Sequence, residues 1–474
     1  MEFEAIIGIE IHVQMKTVSK LFSSSPVSFG SEPNTKVSIT DMAFPGTLPT
    51  VNKQAVINSI CVSHALHMSV DDTVIFERKN YFYSDLPKGY QITQQFRPIG
   101  SNGYLDIKTS KGEKRIGIDR LHMEEDTCKQ LHLKDCTLLD FNRAGIPLVE
   151  IVSKPDIRTG EEAAKFVEEI RSIVTFLDVS DGKMEEGSLR CDINISLKEK
   201  NNDKLGTKVE IKNLNSINNI QKAIEFEIAR QKEILENGGS IKQETRRFDE
   251  SSKKTVLMRT KTDDVDYKYF TEPNIPPIKL SKEFIENAIN TSPEPASSRF
   301  NRYQQFGLNE YDVSLLLTNK ETSDYFDQLV ETGVNPKLAA NWMLGEVQSY
   351  LNKANTSIKD FPISSDRLVK LIKLIEEEII SNKIGREIFA KMILDNKNPE
   401  QLLKESGISQ LNDEDEIKTI IIELLDNNPS LIEEYKNGKD RIIGYLVGQV
   451  IKKTNGKANP SLTNKLLIEE IKRR

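Results

Sequence analysis

Several familiar signatures are missing from this 474-residue chain. It has no GxxxxGK[ST] loop and no GxGxxG fingerprint, so any nucleotide site must be of another type, such as a sheet face that holds metal and phosphates. GxSxG is absent and no cysteine sits in a recognisable catalytic setting, which argues against amide or ester hydrolysis by a side-chain nucleophile. The four cysteines, Cys61, Cys128, Cys136 and Cys191, form no close CxxC pair. Reduced thiols in a cytoplasmic protein are the expectation. No apolar run is long enough to cross a bilayer. The N-terminal MEFEAIIGIEIHVQM has neither a basic leader nor a small-residue cleavage site, so a secretory signal is not expected there. Basic charge is not in excess either: 65 Lys and Arg stand against 72 Asp and Glu, for a formal net charge of -7. Any nucleic-acid surface must therefore be local.

What is present divides by texture. The length predicts several domains. Up to about residue 290, short alternating strands mix with turns and a few helices. Strands are expected at 114–118, 187–197 and 207–212, and helices at 160–177 and 216–237, the latter stopped by Gly238 and Gly239. After TEPNIPPIKL and SPEPAS the strand pattern ends, and helices with polar connections follow. A linker-like zone is expected at 396–412. The spacing predicts an α+β body over 1–292, an all-α helical domain over 293–405 and a small helical tail over 406–474. The tail changes sign, with 10 Lys or Arg against 3 Asp or Glu over 436–474. It contains small residues at Gly444 and Gly448, then a Gly/Asn/Pro turn. By itself such a run reads as a solvated face; the sharper reading is a phosphate-backbone contact.

Several strands share an unusual pattern. In IGIEIHVQM one face carries Glu10, His12 and Gln14 and the other Ile9, Ile11, Val13 and Met15. GSLRCDINISL presents Arg190, Asp192, Asn194 and Ser196, and KVEIKN presents Lys208, Glu210 and Lys212. In PLVEIV, Glu150 interrupts an otherwise apolar face, and RLHMEED adds Glu124, Glu125 and Asp126. Half-wet sheets alternate in this way routinely, but carboxylates gathered on one face repel unless cations compensate them. Such groups build hard-cation sites, in which Mg²⁺ takes carboxylate and phosphate oxygens together. A second group, FERKNYFYSDLPKGYQ, joins Arg78, Lys79 and Lys88 to Asn80, Tyr81, Tyr83 and Tyr90. These residue types suit phosphate and a base or sugar. A similar density recurs at 257–273, with Arg259, Tyr267, Lys268 and Tyr269.

Ten segments, in order along the whole chain, resemble the B subunits of glutamine-dependent aspartyl/glutamyl-tRNA amidotransferases. They are IGIEIHVQ, PGTLPTVN, RKNYFYSDLPKGYQI, RIGIDRLHMEEDTCK, FNRAGIPLVEIVSKPDIR, DGKMEEGSLRCDINISL, EIKNLNS, QETRRFD, DYKYFTEPNIPP and GKANPSLTN. The resemblance implies a cradle with a glutamine-synthetase-like, largely antiparallel sheet, followed by a helical domain and a tRNA-binding tail. It implies ATP-dependent amidation of Asp on tRNA(Asn), or Glu on tRNA(Gln), through a phosphorylated side-chain carboxylate. It further implies that ammonia comes from a separate amidase subunit and that a small third subunit completes a heterotrimer. By the same resemblance Glu10, His12, Glu125, Asp192 and Glu210 look like the Mg²⁺ and phosphate-transfer cluster, with Glu150 a further candidate. Lys79, Lys88, Arg190 and Lys212 are expected at phosphate or carboxylate, and Tyr81, Tyr83 and Ser188 at the nucleotide or aminoacyl group.

The chain departs from the family at three places. Many members carry two cysteine pairs around the segments that here read KLFSSSPVSFG and VSITDMAFPG, so no structural zinc is expected. Thr127 and Cys128 stand where Ala-Gly is usual, and Thr271 where Pro is usual. Two other readings compete: a tRNA-binding scaffold without chemistry, and a free-amino-acid ligase. The carboxylate faces count against the first and the basic tail against the second.

Overall fold

The computed structural model describes residues 2–200, 202, 204–260, 266–406, 414–436, 441–454, 458 and 460–474. The chain separates into two compact units, Met1–Ala296 and Ser297–Arg474. In chain order the strands are β1 (Phe3–Gln14), β2 (Ser69–Val70), β3 (Thr73–Val74), β4 (Glu77–Asn80), β5 (Tyr90–Thr93), β6 (Gly100–Thr109), β7 (Gly112–Glu125) and β8 (Lys129–His132). They continue with β9 (Thr137–Asp140), β10 (Pro147–Ser153), β11 (Leu189–Glu199), β12 (Val209–Lys212), β13 (Glu244–Asp249), β14 (Lys254–Thr260), β15 (Phe270–Thr271) and β16 (Ile278–Lys279). The first unit also holds helices α1 (Lys53–Ala65), α2 (Gly160–Phe176), α3 (Ile217–Glu236) and α4 (Lys282–Asn290).

The main sheet has nine strands in the order β14-β13-β12-β11-β1-β10-β7-β6-β2. Every neighbouring pair is antiparallel except β12 and β13. One face is apolar. Ile7, Ile9, Ile11 and Val13 of β1 join Leu121, Met123, Val149, Ile151, Cys191, Ile193, Val209 and Ile211 in a single core. Helices α1, α2 and α3 cover it with Val56 and Ile60, with Phe166, Val167 and Ile170, and with Ile220 and Ile224. Burying each large aliphatic side chain contributes about 1.5–3 kcal/mol. A one-residue slip of β1 would exchange this set for Glu10, His12 and Gln14, so the core pins the register of the opposite face.

Helix boundaries follow from local chemistry. Ser216 caps α3 by accepting from Asn219 N, and Gly238 takes φ +76° just past its end. That stop matches the expectation from Gly238 and Gly239. Thr159 caps α2 in the same way.

Among its described residues the second unit is built of helices and their connections and contains two separate cores. One runs from Tyr303 to Leu402 and includes Trp342, Phe361 and Phe389; the other joins Ile417, Ile421 and Leu425 to Leu446, Val450 and Leu467. The zone expected as a linker is partly helical. Pro399–Glu405 is a helix capped by Asn398, and Leu402 belongs to the first core. Residues 407–412 of that zone lie outside the described residues, as does most of the expected Gly/Asn/Pro turn. Gly444 and Gly448 face open space, so no close helix contact requires them. Among the described residues no helix is long and apolar enough to cross a membrane.

Candidate active site

The register of the sheet assembles the polar face. His12 of β1 lies opposite Glu150 of β10 on one side and Arg190 of β11 on the other. Glu150 in turn faces His122 of β7. One row therefore reads His122, Glu150, His12, Arg190 across four strands. In the adjacent row Glu10 faces Asp192, and one row further Asn194, opposite Gly8, faces Glu210 of β12.

The first row folds into a tight cluster with Glu124. His12 Nε2 stands 3.2 Å from Glu150 Oε2 and 3.5 Å from Glu124 Oε1. His122 Nε2 lies 3.5 Å from Glu150 Oε2 and 3.9 Å from Glu124 Oε2, and its buried Nδ1 has no hydrogen-bond partner. Burial works against a charged His12 ring, but Glu150 and Glu124 outweigh it and push its pKa up to about 9. Burial and the charge of Glu150 raise Glu124. Glu150 is held well below the usual carboxylate range, because His122 and His12 overcome the effect of its burial. One donor atom each from His12, Glu124 and Glu150 lies within 4.8 Å of the others. This set fits a divalent cation, which takes oxygen donors and leaves positions for phosphate oxygens, with an imidazole as the less usual ligand.

The next two rows extend the site. Asn194 Nδ2 donates to Glu10 Oε1 at 2.9 Å. Burial, then Glu150 and Asp192, raise the pKa of Glu10. Lys212 Nζ reaches Asp192 Oδ2 at 2.6 Å and Glu210 Oε1 at 3.2 Å. Glu210 also accepts from Thr245 Oγ1 at 2.9 Å. At the other end, Arg190 Nη2 and Gln14 Nε2 both donate to the buried Asp126 at 3.0 Å. Arg190 Nε is buried and has no hydrogen-bond partner.

A three-stranded sheet, β15-β4-β5, adds the cationic and aromatic side. Its Lys79 is affected first by burial, which lowers its pKa, and then by Glu124, Tyr269 and Glu150, which raise it to a net upward shift. Lys79 Nζ sits 4.9 Å from the Tyr267 ring centroid and 5.9 Å from that of Tyr81.

Known proteins resemble this chain from end to end. The family described as the GatB/GatE catalytic domain matches residues 5–286, and a GatB domain matches 324–471. The aspartyl/glutamyl-tRNA(Asn/Gln) amidotransferase B subunits of Bacillus cereus (strain AH187) and Bacillus cytotoxicus are each 49% identical to it, with 100% of both chains covered. That of Geobacillus thermodenitrificans is 48% identical over the same full extent. The chain belongs to the family of aspartyl/glutamyl-tRNA(Asn/Gln) amidotransferase B subunits.

Four residues expected at the site of such a B subunit are placed elsewhere. Glu125 is not in the cluster. Alternation along β7 turns it away from His122 and Glu124. Its carboxylate instead pairs with Lys88 and accepts from Ile92 N at 3.0 Å. Lys88 is thereby committed as well, and the pair lines a cavity of about 240 Å³ with Phe22, Asp41, Phe44 and Asp126. The departure at Thr127 and Cys128 therefore sits beside this pair rather than beside the metal-type cluster. Tyr83 is 61% exposed and joins none of the contacts above. The Ser188 hydroxyl is tied to Asp181 and Lys183 of its own turn. Conversely, His122 and Glu124 belong to the cluster although neither was among the expected site residues. A strict period of two through RLHMEED, with Leu121 and Met123 as the apolar phase, singles out both.

The segments without cysteine are joined by charge. Asp41 accepts from Ser23 Oγ and Ser25 Oγ at 2.6 Å, from Ser38 N at 2.8 Å and from Lys20 Nζ at 3.2 Å. Lys20 is fully buried. This hub ties residues 20–25 to residues 38–41.

Proposed function

We propose that this chain is the subunit that activates a tRNA-bound carboxylate in an ATP- and glutamine-dependent amidotransferase. The substrate is Asp-tRNA(Asn) or Glu-tRNA(Gln), the product Asn-tRNA(Asn) or Gln-tRNA(Gln). The observation that carries the reading is the polar sheet face, where His12, Glu124 and Glu150 converge beside Glu10, Asp192 and Lys79.

Phosphoryl transfer needs neutralised charge and in-line placement more than covalent help. His12, Glu124 and Glu150 would hold Mg²⁺, which screens ATP oxygens from the substrate carboxylate when bound. Lys79, Arg190 and Lys212 supply fixed positive charge around the same surface. Glu10, with its raised pKa, suits proton removal from ammonium, which is not itself a nucleophile. Asp192 and Glu210 hold Lys212 in place from two sides. The phosphorylated side chain is then open to ammonia, with phosphate as the leaving group.

The relatives are named as a subunit, which supports work in an assembly. The partners in this reading are an amidase subunit that releases ammonia and a small third subunit, in a cytoplasmic heterotrimer. The sheet body is the glutamine-synthetase-like cradle over 1–292, followed by the helical domain over 293–405. The helical tail over 406–474 contacts the tRNA body through its basic part, residues 436–474. Reconstitution with those partners tests the proposal. Transamidation of both mischarged tRNAs should require Mg²⁺ and ATP, and turnover without ATP would contradict it.

A further inference from the structure

The sheet β15-β4-β5 and the chain beside it carry a line of rings that the chemistry above leaves unused. Tyr81 meets Tyr267 at 6.0 Å between centroids, Tyr267 meets Tyr269 at 6.0 Å, and Tyr269 meets Phe96 at 6.1 Å. All three contacts are edge-to-face, with interplanar angles of 73°, 67° and 69°. Edge-to-face contact leaves part of each ring clear of the other rings, and Lys79 Nζ stands over the Tyr267 ring at 4.9 Å. Lys79, which feels Glu124 and Glu150, marks its inner end. Phe96, 69% exposed, marks its outer end. The backbone anchors the arrangement: Asn80 N donates to Tyr267 O at 2.9 Å, and Asn80 Nδ2 to Lys268 O at 2.7 Å. Single exposed aromatics are ordinary on a protein surface. Four in continuous contact, leading from open surface to a lysine that stands 4.9 Å from the Tyr267 ring centroid, are not a scattered set.

We propose that Phe96, Tyr269 and Tyr267 form a stacking subsite for an adenosine whose phosphate or ester lies at Lys79. A purine offers a flat π-face to such rings, and stacking of this kind contributes substantially to nucleic-acid and nucleotide binding. The proposal rests on the function given above. Two substrates of that reaction carry an adenosine at the reacting end: ATP, and the 3′-terminal nucleotide of tRNA that bears the aminoacyl ester.

The test uses Phe96→Ala and Tyr269→Ala in the assembled enzyme, varying ATP and mischarged tRNA in turn. The KM of one substrate should rise about tenfold or more, with kcat nearly unchanged, and Phe96→Trp and Tyr269→Phe should restore it. A rise for ATP assigns the subsite to the nucleotide, and a rise for aminoacyl-tRNA assigns it to the terminal adenosine. Unchanged KM values for both substrates overturn the proposal, as does a loss confined to kcat. Equilibrium binding of ATP and of uncharged tRNA to the full chain, wild type against Phe96→Ala, reads the subsite without turnover. A wild-type chain that binds but does not transamidate would therefore count against the functional reading alone. Equal binding by wild type and variant would count against the subsite.

Discussion

Glu150 is the carboxylate shared by two imidazoles, at 3.2 Å from His12 and 3.5 Å from His122. Glu150→Gln removes that charge and leaves both rings facing Glu124 alone. A cation held by His12, Glu124 and Glu150 stabilises the folded chain by mass action. Mg²⁺ should therefore raise the thermal midpoint of the wild-type chain and leave that of a Glu124→Gln/Glu150→Gln variant unmoved; an equal rise in both would count against the site. The residues of this face were largely readable from alternation, since Glu10, His12, Asp192 and Glu210 each sit in phase with polar neighbours. Glu125 was not. It is adjacent in sequence to Glu124, and only the phase set by buried Leu121 and Met123 tells the two apart. Tyr83 and Ser188 show the converse limit, because residue type alone does not reveal whether a side chain is exposed or bound within its own turn.

At the scale of elements, the loop hub at Asp41 replaces regular structure between β1 and α1. Lys20 and Asp41 are 0% and 4% exposed in their side chains, so removing one partner strands a buried charge. Asp41→Ala should cost about 3–5 kcal/mol by denaturant unfolding; a loss below about 1 kcal/mol would place the hub among ordinary surface pairs. The hydroxyls of Ser23 and Ser25, Ser38 N and Lys20 outweigh burial and hold the Asp41 carboxyl below its usual 3.8. A depressed carboxylate contributes stability that is present above pH 3.8 and is lost as pH falls through the lower folded value. The wild type should therefore lose stability across that acid window more steeply than Asp41→Asn, as read from denaturation midpoints. The strands and helices were legible because apolar period, caps and glycine stops are local. Strand order was not: the neighbours of β1 are β10 and β11, more than a hundred residues away, and no short-range pattern encodes that pairing. The helix at Pro399–Glu405 was hidden by its polar composition, since burial of Leu402 supplies what periodicity does not show.

For the whole molecule, the tail is more than a charged appendage. Leu446, Val450 and Leu467 share a core with Ile417, Ile421 and Leu425, so cutting at residue 436 would expose that core. Truncation after Glu405 respects the packing, and it should weaken tRNA binding while leaving the first unit folded. Part of the basic charge is already paired, as Lys453 meets Glu423 and Arg474 meets Asp426. Lys452→Gln and Lys472→Gln should each lower the salt dependence of tRNA binding by about one phosphate contact; unchanged slopes would return the tail to the role of a solvated face. The central claim is that the sheet face carrying His12, Glu124 and Glu150 performs carboxylate activation. It is tested most directly by Glu124→Gln in the assembled enzyme, with transamidation and glutamine hydrolysis measured side by side. Loss of a preorganised electrostatic group costs about 10²–10³ in rate, so transamidation should fall by about 100-fold or more while glutamine hydrolysis persists. Transamidation at the wild-type rate would contradict the account.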